Sequence, residues 1–191
     1  MPRTPVRLVA FLRAINVGGH VVKMDVLKKH FEALGFTDVQ TFIASGNVIF
    51  TAPGGDRSAI EKKIEKRLES ALGYEVRTFV RTVDEVAAIA TYEAFRPAAV
   101  KTARSLNVGF LADPLDAAAL ETLQTLENEI DGFHVNGREV YWICKTLQSE
   151  STMSNMRFEK VMKTRVTFRG LKTIVKLTAK HPPAPAAKAR R

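Results

Sequence analysis

The stretch Val6–Met24 limits the possible folds more than any other. Val6–Arg13 is a nearly continuous apolar run of strand length, which reads as a buried strand. It breaks into an Asn16-Val17-Gly18-Gly19 loop. From Met24 onward, Leu27, Phe31 and Leu34 recur at helical spacing, and Gly35 stands where a left-handed helix end favours glycine. Val39–Ala44 and Val48–Thr51 follow as strands joined by Ser45-Gly46-Asn47, a hairpin. Pro53–Asp56 breaks the chain. Ser58 with Glu61 then reads as a capping box opening a helix whose apolar stripe is Ile60, Ile64, Leu68 and Leu72. Gly73 ends that helix, and Glu75–Arg81 is a fourth strand. The order β-α-β-β-α-β is the split βαβ pattern of ferredoxin-like units.

Thr82 with Glu85 forms a second capping box, opening a helix through Val83, Val86 and Ile89. The weakly periodic Phe95–Arg104 reads as a link between two halves. Ser105–Leu111 is a strand. Asp113-Pro114 reads as a helix start, and Leu120, Leu123, Leu126 and Ile130 supply its core face. Phe133–Ile143 contains Asn136-Gly137, the strongest hairpin signal in the chain. Helices over 154–163 and 170–180 close the half, the last presenting Leu171, Ile174, Val175 and Thr178 inward. The expected fold class is α+β. A ferredoxin-like unit spans 1–81, a second smaller α+β unit with C-terminal helices spans 82–180, and a flexible basic tail spans 181–191.

Charge is unevenly placed in this chain of 191 residues and net charge +9. Residues 151–191 hold 11 Lys/Arg against one acid, Glu159, so the basicity belongs to the C-terminal fifth. Such a one-sided field bears on partners rather than on fold. No apolar run reaches the roughly 20 residues a membrane span requires. No secretory signal precedes Leu8–Leu12, and Cys144 stands alone, so a cytoplasmic location and no membrane association are expected.

Several of these residues together resemble a known family. Leu12-Arg13-Ala14-Ile15-Asn16-Val17-Gly18-Gly19, Lys23-Met24, Leu34-Gly35-Phe36 and Ser45-Gly46-Asn47-Val48-Ile49-Phe50 resemble the signature of domain-of-unknown-function family 1697. The resemblance runs over about residues 6–180 and implies a bacterial, two-part α+β protein with no assigned activity. Family members carry Thr-x-Arg-Asn-Trp-Asn-Thr before the last helix. Here Thr167, Arg169 and Thr173 fit that pattern, whereas Gly170 and Leu171 depart from it and Ala14 replaces an expected glycine.

In a split βαβ unit the first two strands run parallel, so the loop 14–22, the turn 45–47 and the tip of the first helix gather at one sheet edge. Helix tips carry unpaired N–H groups and a positive dipole end. Arg13, Asn16, Gly18, Gly19, Lys23, Ser45 and Asn47 are therefore candidates for holding a phosphate or carboxylate, the glycines through close backbone approach. Arg169, Lys172, Lys176 and Lys180 are spaced to form one basic stripe on the last helix, suited to nucleic-acid phosphates. Binding of an anion is expected, nucleic acid ahead of a small phosphorylated molecule, with a protein-interaction module as the remaining class. His20, His30, His134, His181 and Cys144 share no metal-ligand spacing, and neither a cofactor nor a catalytic set is predicted.

Overall fold

The computed structural model describes residues 4–147 and 150–184. The first unit runs β1 (Pro5–Leu12), α1 (Met24–Glu32), β2 (Thr37–Phe42), β3 (Asn47–Pro53), α2 (Arg57–Leu72), β4 (Thr78–Thr82) and α3 (Val83–Thr91). A short helix, α4 (Pro97–Thr102), links it to the second. That unit comprises β5 (Ser105–Phe110), α5 (Ala117–Gln124), β6 (Asp131–Asn136), β7 (Glu139–Cys144), α6 (Asn155–Met162), β8 (Thr167–Gly170) and α7 (Leu171–Lys180). The two units repeat one element order. The sheets are β2-β3-β1-β4 and β6-β7-β5-β8, the same topology twice, with every pair antiparallel.

Alternation along the strands explains the layering. In β1, Leu8, Ala10 and Leu12 face α1 and α2, packing on Leu27, Phe31, Ile64 and Leu68. Val9 and Phe11 face the other way, into a core shared with Val108, Phe110 and Tyr141 of the second unit. Phe11 and Phe110 stack with centroids 3.8 Å apart and planes 10° from parallel. The shared core also takes in Val86 and Ile89 of α3 and Ile174 and Leu177 of α7. Full burial of such a side chain contributes roughly 1.5–3 kcal/mol. The apolar seam therefore supplies most of the adhesion between units.

Several expected details shift. Thr167–Gly170 is a strand, not a helix approach, and completes the second sheet beside β5. Helix α2 is capped by Asp56, whose carboxylate accepts from Ser58 N–H. Glu61 instead accepts from Val80 N–H at 2.7 Å, tying α2 to β4. Helix α5 starts after Asp116, which accepts from Ala119 N–H, rather than at Asp113. Asn136 pairs with Glu139, so the hairpin loop is Gly137-Arg138 with Gly137 at φ +60°. Val175 is 47% exposed, and Leu177 fills the inward position. The expected capping box of Thr82 and Glu85 is present at α3. Residues 185–191 of the expected tail lie outside the described residues.

Candidate anion-binding cleft

Beyond Leu12 the first unit's chain turns sharply, with Ala14 at φ 66° and Asn16 at φ 55° in the left-handed region. Asparagine tolerates that conformation better than most residues, and its amide makes the loop self-supporting. Asn16 Nδ2 donates to Ala44 O (2.9 Å) and Val22 O (3.3 Å), while Val22 N–H donates to Asn16 Oδ1 (2.6 Å). Asn16 thus joins the two loops rather than facing a ligand. Gly46, at φ 74°, is required by space as well: a Cβ there would lie 2.9 Å from Ile15 Cβ. Gly18 and Gly19 differ. Both have positive φ, but a Cβ on either would meet nothing within 4 Å, so no close approach is made there.

The remaining candidates separate clearly. Arg13 donates through Nε and Nη2 to both oxygens of Glu159 (2.7 and 2.8 Å), a paired bridge between the units. Lys23 is the N-cap residue of α1 and is exposed. Asn47 is fully buried; its Nδ2 donates to Phe42 O (3.0 Å) and Ser45 Oγ (2.9 Å). Arg169 does not lie on the last helix as its spacing suggested. It sits in β8 at 9% exposure, because the chain is extended until Gly170. Lys172, Lys176 and Lys180 are exposed on α7, with Lys180 Nζ 5.8 Å from the centre of the Phe42 ring.

Arg169 uses every donor it has. Nε–H donates to Asn47 Oδ1 (2.7 Å). Nη1 donates to Thr167 Oγ1 (2.8 Å) and Phe168 O (2.9 Å), and Nη2 to Leu12 O (2.7 Å) and Ser45 O (2.6 Å). All five acceptors are neutral, and no carboxylate among the described residues balances the charge. Burial alone brings its pKa down to about 10, so the guanidinium still carries its charge at neutral pH.

This buried cation borders a cleft of about 360 Å³ between the units. Ala14, Val17, Ile43 and Ser45 form one wall. Asn155, Thr167, Gly170 and Thr173 form the other. No acid lines it. The N-cap of α7 is Gly170, which offers no side-chain acceptor to the first-turn N–H groups. Of the residues singled out in the sequence, the structure brings Ser45 and Arg169 together at the cleft, with Asn16 and Asn47 behind them. Asn155 carried no sequence signal, and Thr167 and Thr173 were marked only by the family motif.

The opposite polar corner is built the same way, with one difference. Val9 pairs with Arg81 as Val108 pairs with Arg169, and Phe11 pairs with Asn47 as Phe110 pairs with Glu139. Arg81 Nε–H donates to Glu139 Oε1 (2.6 Å), and its other groups donate to Val80 O, Leu111 O and Arg138 O. Where Arg169 meets an amide, Arg81 meets a carboxylate. Glu85 lies nearby: burial raises its carboxyl pKa, but Arg57, the Thr82 N–H and Arg81 more than offset this and hold it below the usual value.

A twofold-repeated ferredoxin-like α+β protein with a positively charged, acid-free cleft between its units is the class this geometry defines. Over residues 6–141 the chain matches the family described as "Protein of unknown function (DUF1697)", and it belongs to that family. The match ends within β7, before the Arg169 strand. No curated protein matches it. A conserved bacterial protein, SP0830 from Streptococcus pneumoniae, has a similar structure: TM-score 0.72 at 20% identity, covering 93% of this chain and 98% of that one. At that identity the likeness shows the fold. Among the described residues no helix is long and apolar enough to cross a membrane.

Proposed function

We propose that the protein binds a small anion, a phosphate- or carboxylate-bearing molecule, in the cleft between the 14–17 and 43–45 loops and the start of α7. One observation carries this reading: the charge of Arg169, buried and balanced by no described carboxylate, borders a cleft that contains no acid. A buried cation without a counter-charge costs several kcal/mol, and an incoming anion offsets that cost. The uncapped first turn of α7 adds N–H groups and dipole from the same direction. A cytoplasmic anionic metabolite suits a chain with one buried, unbridged cysteine.

Thr173 supplies the test, because it lines the cleft in the first turn of α7. Inorganic phosphate, pyrophosphate and citrate are titrated calorimetrically into the full chain and into Thr173→Asp. The expected result is saturable binding of at least one probe, weakened more than about tenfold by the resident carboxylate. Heats absent for all three, or equal in both proteins, contradict the reading.

Lys172, Lys176 and Lys180, exposed along α7, support a second reading, contact with nucleic-acid phosphates. Without Arg169 the stripe is shorter than its spacing suggests. Filter binding that falls steeply with salt and weakens on deletion of 181–191 would favour it.

A further inference from the structure

The linker helix α4 is unusual in burying none of its residues. Against it lie two adjoining cavities of about 430 and 590 Å³, sharing Val100, Leu106, Asn107 and Leu171. Each is within the usual range for a small-molecule site. The inner cavity is walled mainly by carbon, from Ala90, Phe95, Pro97 and Tyr141, with Glu93 and Lys101 the charged residues in its lining. The outer one opens between Arg104, Lys172 and Lys176 and contains no acid. None of these three cations lies within ion-pair distance of a described carboxylate. Val100, at 39% exposure, borders both cavities. Asn107 sits at the junction, 5% exposed, its amide making only a 3.5 Å bond to Ser105 Oγ.

A mainly apolar trough that ends in cations with no described carboxylate partner matches a molecule with a hydrocarbon body and one anionic end. The apolar part gains from leaving water in proportion to its buried area. The head gains from Arg104, Lys172 and Lys176, and the Asn107 amide is placed to hydrogen-bond an oxygen near the turn. We propose that the trough under α4 binds a long-chain carboxylate, a free fatty acid, with its chain against Val100, Leu106 and Leu171 and its carboxylate among Arg104, Lys172 and Lys176. This site adjoins the Arg169 cleft at Gly170 and shares no other lining residue with it. It gives Lys172 and Lys176 a use that needs no nucleic acid, and it explains why a helix with no buried residue is held over the body.

Calorimetric titration of the full chain with dodecanoate below its micelle concentration tests the proposal, with dodecanol and dodecyltrimethylammonium as neutral and cationic probes. The expected result is saturable dodecanoate binding, with both other probes weaker by about tenfold or more. Two surface variants separate the parts of the site. Lys172→Glu/Lys176→Glu is expected to weaken dodecanoate by more than about tenfold, and Val100→Trp, which fills the trough from an exposed position, to do the same. Val100→Trp, at a position that does not line the Arg169 cleft, is expected to leave phosphate binding there unchanged. The proposal is overturned if dodecanoate does not saturate, if dodecanol binds as tightly, or if the lysine variant stays within about twofold. Binding of a single-stranded oligonucleotide in place of dodecanoate overturns it equally and favours the nucleic-acid reading.

Discussion

Two arginines at matching positions of two similar units have been given different partners. Arg81, at 1% exposure, is held by Glu139, and the acids Glu61 and Glu85 lie in its field. Arg169 is held by Asn47 and by backbone and hydroxyl oxygens. Both guanidiniums cross between units and satisfy the carbonyls at the end of a central strand, Leu111 and Leu12 respectively. As connectors they are alike; in charge they are not. The Arg81 corner is neutralised from within, whereas the Arg169 corner is left positive beside open space. A structural requirement explains the shared connections. It does not explain why one corner lacks its carboxylate, which the proposed anion site would account for.

The largest expected effect comes from removing each cation. Arg81→Met strands the buried Glu139 carboxylate and is expected to cost about 3–5 kcal/mol in denaturant unfolding. Arg169→Met strands five neutral acceptors, at about 1–3 kcal/mol each, but also removes an unbalanced buried charge that costs several kcal/mol. A smaller net loss than that of Arg81→Met is therefore expected. Equal losses would erase the contrast between the corners. Thr173→Asp should move stability the other way, adding roughly 0.3–1 kcal/mol by placing a carboxylate at the N-terminus of α7 near Arg169. A loss there would mean that the cleft already holds its charge in balance.

The smallest effect concerns pH. Glu85 is held below its usual pKa, so its contribution is present above the unfolded pKa and is lost as pH falls through the folded one. Glu85→Gln should therefore flatten the acid limb of the stability curve below about pH 4.5. Substitutions around Arg169 should leave that limb unchanged. A steeper acid limb in Glu85→Gln would contradict the assigned direction.

Much of the first unit was legible because its helices and strands are long and strongly patterned, with breaks at Gly35, Pro53 and Gly73. The second unit hid its last strand for a physical reason. Thr167-Phe168-Arg169-Gly170 is four residues long, carries a charge at a buried position and ends in glycine, so neither length nor alternation announces it. That omission displaced Arg169 onto a helix and left the second half one strand short of the first. The repeat itself survives in register more than in residue type: Phe11 and Phe110 correspond, while Asn47 and Glu139 do not. The loop glycines misdirected the site for a similar reason. Gly18 and Gly19 serve backbone conformation in open space, while the tight approach is made by Gly46. Ser45 was readable from loop convergence, but Asn155 reaches the cleft only through tertiary packing.

The most direct measurement follows the side-chain Nε–H resonances of Arg81 and Arg169 by NMR as inorganic phosphate is added to the full chain. A saturable shift of the Arg169 signal and of the Thr173 amide, with Arg81 unmoved, is the predicted result. Equal movement of both arginines, or movement of neither at saturating phosphate, would contradict an anion site built on the uncompensated charge.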